Sequence, residues 1–167
     1  NIKQELKDSM KFITNISVPV AWRRQYCGIF EARAGGVIYY LLDNQYYFKR
    51  DSLYGFYDDA ERFAFFSRAI LEIIPHIGFK PDIIHCNDWQ TALTPVYYST
   101  MYADKPGYEN IKTAITIHNI QYQGVYGKEI LTDVLGFGEE HFSLLEYDGC
   151  VNFMKGGIQC ADKVTTV

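Results

Sequence analysis

Hydrophobic residues in the second half of the chain form two short runs, and each run leads directly into polar residues. Ile83-Ile84 precedes His85, and the run Ala114 to Ile117 precedes His118. The segment between them, Thr91 to Met101, has the length and apolar content of a helix. Strand, polar loop, helix, strand and polar loop in this order are typical of a parallel α/β unit, in which ligands bind at the carboxyl ends of the strands. The side chains that this pattern places in the two loops are His85, Asn87, Asp88, Trp89, His118, Asn119 and Gln123.

The first part of the chain predicts strands that pair locally. Apolar and β-branched residues dominate residues 11–20, which favours a strand. Two further β-rich runs, Gln25 to Arg33 and Val37 to Asp43, flank Ala34-Gly35-Gly36 and predict a hairpin. The second run is apolar throughout its first six residues, which favours a strand that is buried on both faces. Asn44 to Tyr57 is predicted to be a long loop.

A long helix is predicted after that loop, with either Asp58 or Asp59 as its cap. Apolar residues between Phe63 and Ile74 recur at helical spacing and give the helix one buried face. Pro75 disfavours helical geometry at the residue before it, so the helix should end or bend there. The two central strands are then expected at Asp82 to Cys86 and Lys112 to Ile117.

Shorter helices are expected near the end of the sequence, at Lys128 to Leu135, Glu139 to Leu144 and Asn152 to Ala161. The last of these contains Gly156-Gly157, and a glycine pair inside a helix costs about 2 kcal/mol relative to alanine. Such a pair is expected where another backbone or a ligand approaches the helix closely. A final strand is predicted over residues 163–167.

Composition and charge narrow the class of protein. The 167 residues, 48% of them hydrophobic and 22% charged, are enough for one domain with a substantial core. A net charge of −4 argues against a nucleic-acid partner and against a polybasic membrane contact. No apolar run approaches the roughly 18 residues that a membrane span needs. Cys86 and Cys160 lie in apolar patterns and are predicted to be buried free thiols, which favours a cytoplasmic location over the alternative of a disulfide pair.

The two ends of the sequence suggest a piece of a larger protein. The chain begins without Met, and its polar residues 1–10 fit either a frayed start or a surface helix. It stops at Val167, inside the predicted last strand.

Position alone leaves two interpretations open for the polar residues of the central loops. A histidine after a strand can bind a hydroxyl-rich ligand, or it can cap the strand and be satisfied by its neighbours. Asp88 beside Trp89 can accept hydrogen bonds from sugar hydroxyls next to an aromatic platform. It can equally cap the following helix through the N–H groups of Gln90 or Thr91.

The aromatic residues and Lys155 carry the same ambiguity. Tyr54, Tyr57, Tyr97 and Tyr98 can line a glucan groove or serve only as packing residues. Lys155, ahead of the glycine pair, can meet an anion or remain a solvated helix lysine.

The motifs of several other kinds of site are missing from the sequence. H-C-N-D has tight spacing but no obvious third and fourth ligands, so no metal site is predicted. No serine lies on a G-x-S-x-G elbow, which gives no support to a Ser-His-Asp triad. Without G-x-G-x-x-G or a P-loop, no self-contained dinucleotide or nucleotide site and no cofactor are predicted.

Four motifs taken together resemble one family. They are Y-G-F-Y-D-D-A-E-R-F-A-F-F-S-R-A, P-D-I-I-H-C-N-D-W-Q-T-A-L-T-P-V-Y, T-I-H-N-I-Q-Y-Q-G and N-F-M-K-G-G-I-Q-C-A-D-K-V-T-T-V. Residues 25–167 as a whole are similar to the N-terminal domain of bacterial glycogen synthase and plant starch synthase. The resemblance implies a two-domain GT-B glycosyltransferase, in which ADP-glucose donates glucose to the non-reducing end of an α-1,4-glucan, with retention and without a metal. The implied fold class is α/β, a Rossmann-like three-layer domain with a mostly parallel sheet plus a hairpin.

The resemblance also implies roles for individual residues. His118 corresponds to the family histidine beside the donor glucose, where it contacts a glucosyl hydroxyl and its carbonyl lies near the anomeric carbon. Asp88 corresponds to an acidic residue important for activity near the same cleft. Substrate-binding candidates of lower rank are Trp89, Asn119, Gln123, Tyr54, Asn152 and Lys155, the last two within a motif whose role could be structural.

Two family features are absent from the sequence. The K-x-G-G-L glycine loop that approaches the nucleotide phosphates, with its strand, does not occur in residues 1–167, and neither does a C-terminal domain. The sequence is therefore expected to be a single partial N-terminal domain that depends on the missing domain in cis and is inactive alone. The alternatives are another GT-B nucleotide-sugar transferase and a non-catalytic glucan-binding domain.

Overall fold

The computed structural model describes residues 4–167; residues 1–3, which belong to the segment expected to be frayed or helical, lie outside the described part. The strands are β1 Lys11–Val20, β2 Arg23–Ala34, β3 Val37–Asp43, β4 Ile83–Asn87, β5 Lys112–Ile117, β6 Val125–Tyr126, β7 Glu146–Tyr147, β8 Cys150–Asn152 and β9 Lys163–Thr166. The helices are α1 Gln4–Ser9, α2 Gln45–Phe48, α3 Asp59–Glu72, α4 Leu93–Tyr97, α5 Ile130–Asp133, α6 Phe142–Leu145 and α7 Phe153–Cys160.

A parallel sheet with the order β4-β5-β9 lies at the centre of the fold. Ile84 and Cys86 of β4 and Ile115 of β5 are buried in the core, where α4 and α7 pack against each other. Asp162 joins β9 to β5, because its carboxylate accepts hydrogen bonds from the backbone N–H of Thr113 at 2.8 Å and from Lys112 at 3.0 Å. These bonds favour the carboxylate form and lower the pKa of Asp162. The predicted α/β class with a parallel sheet is confirmed.

The predicted hairpin is confirmed as part of an antiparallel sheet with the order β1-β2-β3. Gly35 and Gly36 form its turn with φ of 55° and 78°, a conformation that glycine adopts without steric cost. The prediction that β3 is buried on both faces is wrong, since Val37 and Ile38 are 51% and 43% exposed. The reason is that β3 is an edge strand and begins beside an exposed turn, which an apolar run cannot reveal.

Helix α3 begins and ends close to the predicted residues. Asp58 occupies its N-cap position but does not cap it, because the Asp58 carboxylate is paired with Arg50 at 2.7 Å. The helix ends at Glu72, and Pro75 lies in the short 3-10 turn that follows. The long loop before α3 also contains the unpredicted helix α2, whose four residues are too few to show a period.

The helix expected over Thr91 to Met101 is present but irregular. Its regular part is α4, and residues 98–102 continue as a π-helical turn. Pro95 lies in the first turn of α4, as expected, where its missing N–H leaves no helical bond unmade. A hydrophobic pattern does not distinguish α from π geometry, so only the path of this segment was predictable.

The glycine pair of α7 lies where the helix meets its neighbours most closely. A Cβ at Gly157 would lie 2.8 Å from the carbonyl oxygen of Ala92 and 2.9 Å from its Cβ. At Gly156 it would lie 2.7 Å from Leu145 Cδ2 and 3.1 Å from Val96 Cγ2. The expectation of a close backbone approach is confirmed, and the absence of two side chains lets α7 pack directly on α4.

A third small sheet, with the order β6-β8-β7, was not predicted from the sequence. Its strands have only two or three residues, which is too short for an alternating pattern. The predicted helices between 128 and 144 are present as α5, a 3-10 turn over Glu139–His141, and α6. No helix within residues 4–167 has the length and apolar character needed to cross a membrane.

The contacts of α7 predict different outcomes for two matched substitutions. In Gly157→Ala the new methyl group meets the fixed backbone of Ala92, so we expect a net loss of about 1–3 kcal/mol despite better helix propensity. In Gly156→Ala it meets the ends of side chains that can rotate, and the loss should be smaller. Urea unfolding of both variants measures the difference. A Gly157→Ala variant at least as stable as Gly156→Ala would contradict this packing.

Thiol reactivity should separate the four cysteines, all of which are free. Burial raises the pKa of Cys86 to about 11, and burial together with the nearby Asp43 carboxylate raises that of Cys27 to about 12. Both thiols therefore remain protonated and inaccessible at mildly alkaline pH. Cys160 was predicted to be buried but is only half-buried, and burial raises its pKa. We expect Ellman's reagent to modify the half-buried Cys150 first in the native chain, Cys160 more slowly, and Cys27 and Cys86 only after unfolding. Cys150→Ser should remove the first phase, whereas rapid reaction of all four native thiols would disprove the assignment.

Candidate functional site

The candidate site lies at the carboxyl ends of β4 and β5. These strands pair in parallel, with Asn87 opposite Thr116, so the residues that follow each strand lie side by side. Asn87 was expected in the loop but belongs to β4, because this strand ends one residue later than predicted. His85 lies inside β4 as well and not in the loop. The His85 ring bonds Thr116 Oγ1 at 2.6 Å, and that hydroxyl meets Thr165 Oγ1 at 2.7 Å. His85 is thus part of a polar row across the sheet.

Asp88 and His118 are joined by two hydrogen bonds. One carboxylate oxygen of Asp88 accepts the backbone N–H of His118 at 2.7 Å, and the other lies 3.0 Å from the ring Nδ1. A carboxylate only accepts hydrogen bonds, so it favours the tautomer with the proton on Nδ1. The His118 side chain is 46% exposed, which leaves its other edge free to meet a ligand.

The backbone at Asp88 has an uncommon conformation. Its φ of 58° lies in the left-handed region, which costs a non-glycine residue about 1–2 kcal/mol. Three contacts hold it there: its N–H donates to the Thr116 carbonyl at 3.0 Å, its carbonyl accepts from Thr91 N–H at 3.2 Å, and its carboxylate binds His118. The helix-cap interpretation does not describe this carboxylate, since Thr91 bonds the backbone of Asp88 and not its side chain.

Trp89 anchors the loop from below and is only 6% exposed. Its ring packs edge-on against Phe63 of α3 at 4.8 Å. Gly124, in the loop after β5, has φ of 66°, and a Cβ there would lie 2.6 Å from the Trp89 ring. This close approach joins the two loops. Trp89 is therefore mainly a core residue that supports the site, and little of its ring is open as a platform.

A cleft of about 300 Å³ opens above Trp89. Tyr54 and Tyr122 form exposed aromatic walls, with their rings 6.4 Å apart and side chains 46% and 54% exposed. The full lining is Tyr54, Asp88, Trp89, Gln90, Asn119 and Tyr122. Tyr122 and Gln90 were not predicted as site residues, although both lie in segments that follow the central strands. Asn119 is exposed, and its side-chain oxygen accepts the backbone N–H of Gln121 at 3.0 Å.

Gln123, Asn152 and Lys155 form a support behind the cleft. Gln123 donates to the Ile120 carbonyl at 2.9 Å, and its oxygen accepts from Asn152 at 2.6 Å. Asn152 is buried and caps α7 by accepting the N–H of Lys155 at 2.9 Å. The Lys155 ammonium donates to the Ser143 carbonyl. None of the three lines the cleft.

The charge of the cleft limits what it can bind. Of the six described residues that line it, one is an aspartate and none is a lysine or arginine. Among residues 4–167, no group of three or more His, Cys, Asp or Glu side chains is arranged to hold a metal ion. The lining fits a ligand with many hydroxyl groups, since it combines carboxylate and amide hydrogen-bonding groups with amphipathic tyrosines.

Curated proteins similar to this chain include two bacterial glycogen synthases. The glycogen synthase of Bacillus cytotoxicus is 54% identical over 168 residues, covering 99% of this chain and 35% of that protein. The glycogen synthase of Desulforamulus reducens is 52% identical over 163 residues, covering 96% of this chain and 34% of that protein. The chain thus spans about a third of the length of these relatives.

A solved structure gives the same picture of the fold. The catalytic domain of starch synthase IV from Arabidopsis thaliana, bound to ADP and acarbose, matches with a TM-score of 0.84 and 32% identity. The match covers 95% of this chain and 34% of that structure. The family model for the starch synthase catalytic domain matches residues 1–167. This chain belongs to the starch synthase catalytic domain family.

Proposed function

We propose that this chain is part of a synthase that transfers glucose from ADP-glucose to the non-reducing end of an α-1,4-glucan, with retention of configuration. The observation that carries the proposal is the Asp88–His118 pair, which two hydrogen bonds join at the carboxyl ends of two parallel strands. Its support comes from relatives named glycogen synthase and from a related starch synthase bound to ADP and acarbose.

His118 acts by position and electrostatics. Because Asp88 accepts the proton on Nδ1, the free Nε2 of His118 accepts a hydrogen bond from a hydroxyl of the donor glucose. The His118 backbone is fixed by the same carboxylate, so its carbonyl holds a constant position near the anomeric carbon. A fixed dipole there stabilises the positive charge that develops at this carbon as the bond to ADP breaks. Neither residue is a nucleophile in this scheme.

The aromatic walls of the cleft bind the sugar rings. Tyr54 and Tyr122 present ring faces to the C–H surfaces of glucose and hydroxyl groups to its edges. Asn119 adds a further hydrogen-bonding group at the rim. Gln123, Asn152 and Lys155 contribute by holding the loop and α7 in place.

The nucleotide requires residues from another part of the protein. ADP carries a diphosphate, and the described lining of the cleft contains no cationic side chain to neutralise it. The chain spans about a third of the relatives' length, so we assign the phosphate contacts to a further domain in cis. Free, buried thiols at Cys27 and Cys86 fit a cytoplasmic location.

Two alternatives differ from this proposal in what the cleft would bind. A related transferase that uses another nucleotide-sugar would have similar sugar-binding residues in this cleft. It would differ in the domain that binds the nucleotide. The exposed Tyr54 and Tyr122 also favour a domain that only binds glucan. Titrating maltooligosaccharide against the chain while following the fluorescence of Trp22 and Trp89 tests for binding without catalysis.

In the complete protein that contains this chain, substitutions at the pair should lower kcat. His118→Ala removes the contact to the donor glucose and should reduce kcat by roughly 100-fold or more. Asp88→Asn keeps the size of the side chain but weakens its hydrogen bonds to the backbone and ring of His118, and should reduce kcat by about 10- to 100-fold. His76→Ala is the matched control, because this exposed histidine lies in the 3-10 turn between α3 and the start of β4, whereas the site lies at the carboxyl ends of β4 and β5. Steady-state assays with ADP-glucose and glycogen measure the effect; an unchanged kcat for His118→Ala would refute the mechanism.

The chain by itself should have no synthase activity. The described lining of the cleft has no cationic side chain for the phosphates, so the chain should bind ADP-glucose weakly or not at all and should show no turnover. Release of ADP in the presence of glycogen is the measurement. Turnover by residues 1–167 alone would show that the proposed dependence on a further domain is wrong.

A further inference from the structure

A buried ion pair lies behind the cleft without lining it. Arg62 of α3 is 2% exposed and forms a salt bridge with Asp59, one turn earlier in the helix. The Arg62 guanidinium also donates to the Tyr47 carbonyl at 2.8 Å and to the Leu53 carbonyl at 3.1 Å. A guanidinium can donate in several fixed directions at once, which suits it to connect a helix with a loop.

The second oxygen of Asp59 holds the same loop. It accepts the backbone N–H of Gly55 at 2.6 Å and that of Phe56 at 3.1 Å. Leu53 and Gly55 are the neighbours of Tyr54 on either side. The ion pair therefore holds the peptide groups immediately before and after the tyrosine that forms one wall of the cleft.

Apart from the Arg50–Asp58 pair and the bond from the Asp59 N–H to the Phe56 carbonyl at 3.1 Å, the loop has few other constraints near Tyr54. Leu53 is 83% exposed and Tyr57 is 96% exposed, so the side chains around Tyr54 bury little surface. The Ser52 hydroxyl donates to the Tyr54 carbonyl at 2.9 Å, but both groups belong to the loop itself. Fixing each loop residue costs about 1–2 kcal/mol of conformational entropy. The bonds from Asp59 and Arg62 offset this cost on both sides of Tyr54.

The surroundings of Arg62 make the pair rigid. The guanidinium carbon lies 5.0 Å from the Phe56 ring, 5.3 Å from Phe63 and 5.8 Å from Phe48. These rings exclude water, which strengthens the hydrogen bonds of the pair. A buried ion pair often stabilises a core less than apolar residues of the same volume would. We therefore assign this pair a role in fixing the geometry of the loop.

We propose that Asp59 and Arg62 are positioning residues that hold Tyr54 against Trp89 and thereby set the affinity of the cleft for the glucan chain. Tyr54 meets the Trp89 ring edge-on at 6.4 Å, which places its exposed face towards the cleft. The pair touches no substrate and acts only through the loop. The role in glucan binding depends on the function proposed above, whereas the hold on the loop does not.

The first test uses the complete protein and a double-mutant cycle. Asp59→Ala removes the acceptor for both loop amides and should raise the KM for maltooligosaccharide by roughly tenfold, with the KM for ADP-glucose unchanged. Asp59→Asn keeps one acceptor oxygen and should give an intermediate KM. In a Tyr54→Ala background, Asp59→Ala should have no further effect, because its influence passes through Tyr54. An equal rise of KM in that background would overturn the proposal.

Glu72→Gln provides the control for general loss of stability. Glu72 also lies on α3 and bonds Tyr102, but it has no contact with the loop. The proposal expects an unchanged KM for maltooligosaccharide in this variant. A rise equal to that of Asp59→Ala would assign the effect to general destabilisation and overturn the positioning role.

Hydrogen exchange of the wild-type complete protein tests the hold on the loop even if Asp59→Ala does not fold. The amides of Gly55 and Phe56 should exchange at least about 100-fold more slowly than unprotected loop amides, because Asp59 accepts both. Unprotected exchange at both residues would overturn the proposal whatever the kinetics show. If the complete protein transfers no glucose while these amides are protected, the function is wrong and the hold on Tyr54 stands.

Discussion

Both oxygens of the Asp88 carboxylate bond His118, and the candidate site depends on this link. Parallel strands place the two residues side by side, but strand pairing alone does not fix the direction of a side chain in the loop beyond. The carboxylate fixes both the backbone and the ring of His118. In return, Asp88 is held in a left-handed conformation that its own hydrogen bonds stabilise. Strain that is supported in this way is typical of functional sites.

The surrounding packing allows the two loops to approach each other. Gly124 lies against the Trp89 ring, where no side chain would fit, and so joins the loop after β5 to the loop after β4. Gly157 permits a similar approach between α7 and α4 beneath the sheet. On the far side of the cleft, the Asp59–Arg62 pair fixes the loop that carries Tyr54. Two close approaches at glycine and one ion pair thus hold the loops and helices around the cleft.

The parts of the fold that could be predicted are those with a long and unambiguous pattern. Strands β1 and β5 occupy the predicted residues, because β-branched runs with polar ends have few other solutions. Burial of β3 was predicted wrongly, since apolar content does not reveal whether a strand lies at the edge of a sheet. The two-residue strands β6 and β7 depend on pairing with β8, a contact that no local pattern encodes.

The same distinction applies to the site. Position after a strand placed Asp88 and His118 among seven candidates in the loops, because ligand sites gather at one end of a parallel sheet. The family resemblance, and not the position, ranked these two above the others. The pairing of Asp88 with His118 was in neither interpretation, since it depends on the left-handed backbone of Asp88, which the sequence does not show. Arg62 resembles any other helix arginine in the sequence, and its contacts with the loop depend on the tertiary fold.

The tautomer of His118 tests the central interaction most directly. Two-dimensional nitrogen NMR of the histidine-labelled chain, with His118→Gln to assign the signal, reports which ring nitrogen carries the proton. The Asp88 link predicts a proton on Nδ1 and a free Nε2, with this preference lost in Asp88→Asn. A neutral ring protonated on Nε2 in the wild-type chain would contradict the account, because Asp88 would then have no proton to accept from His118.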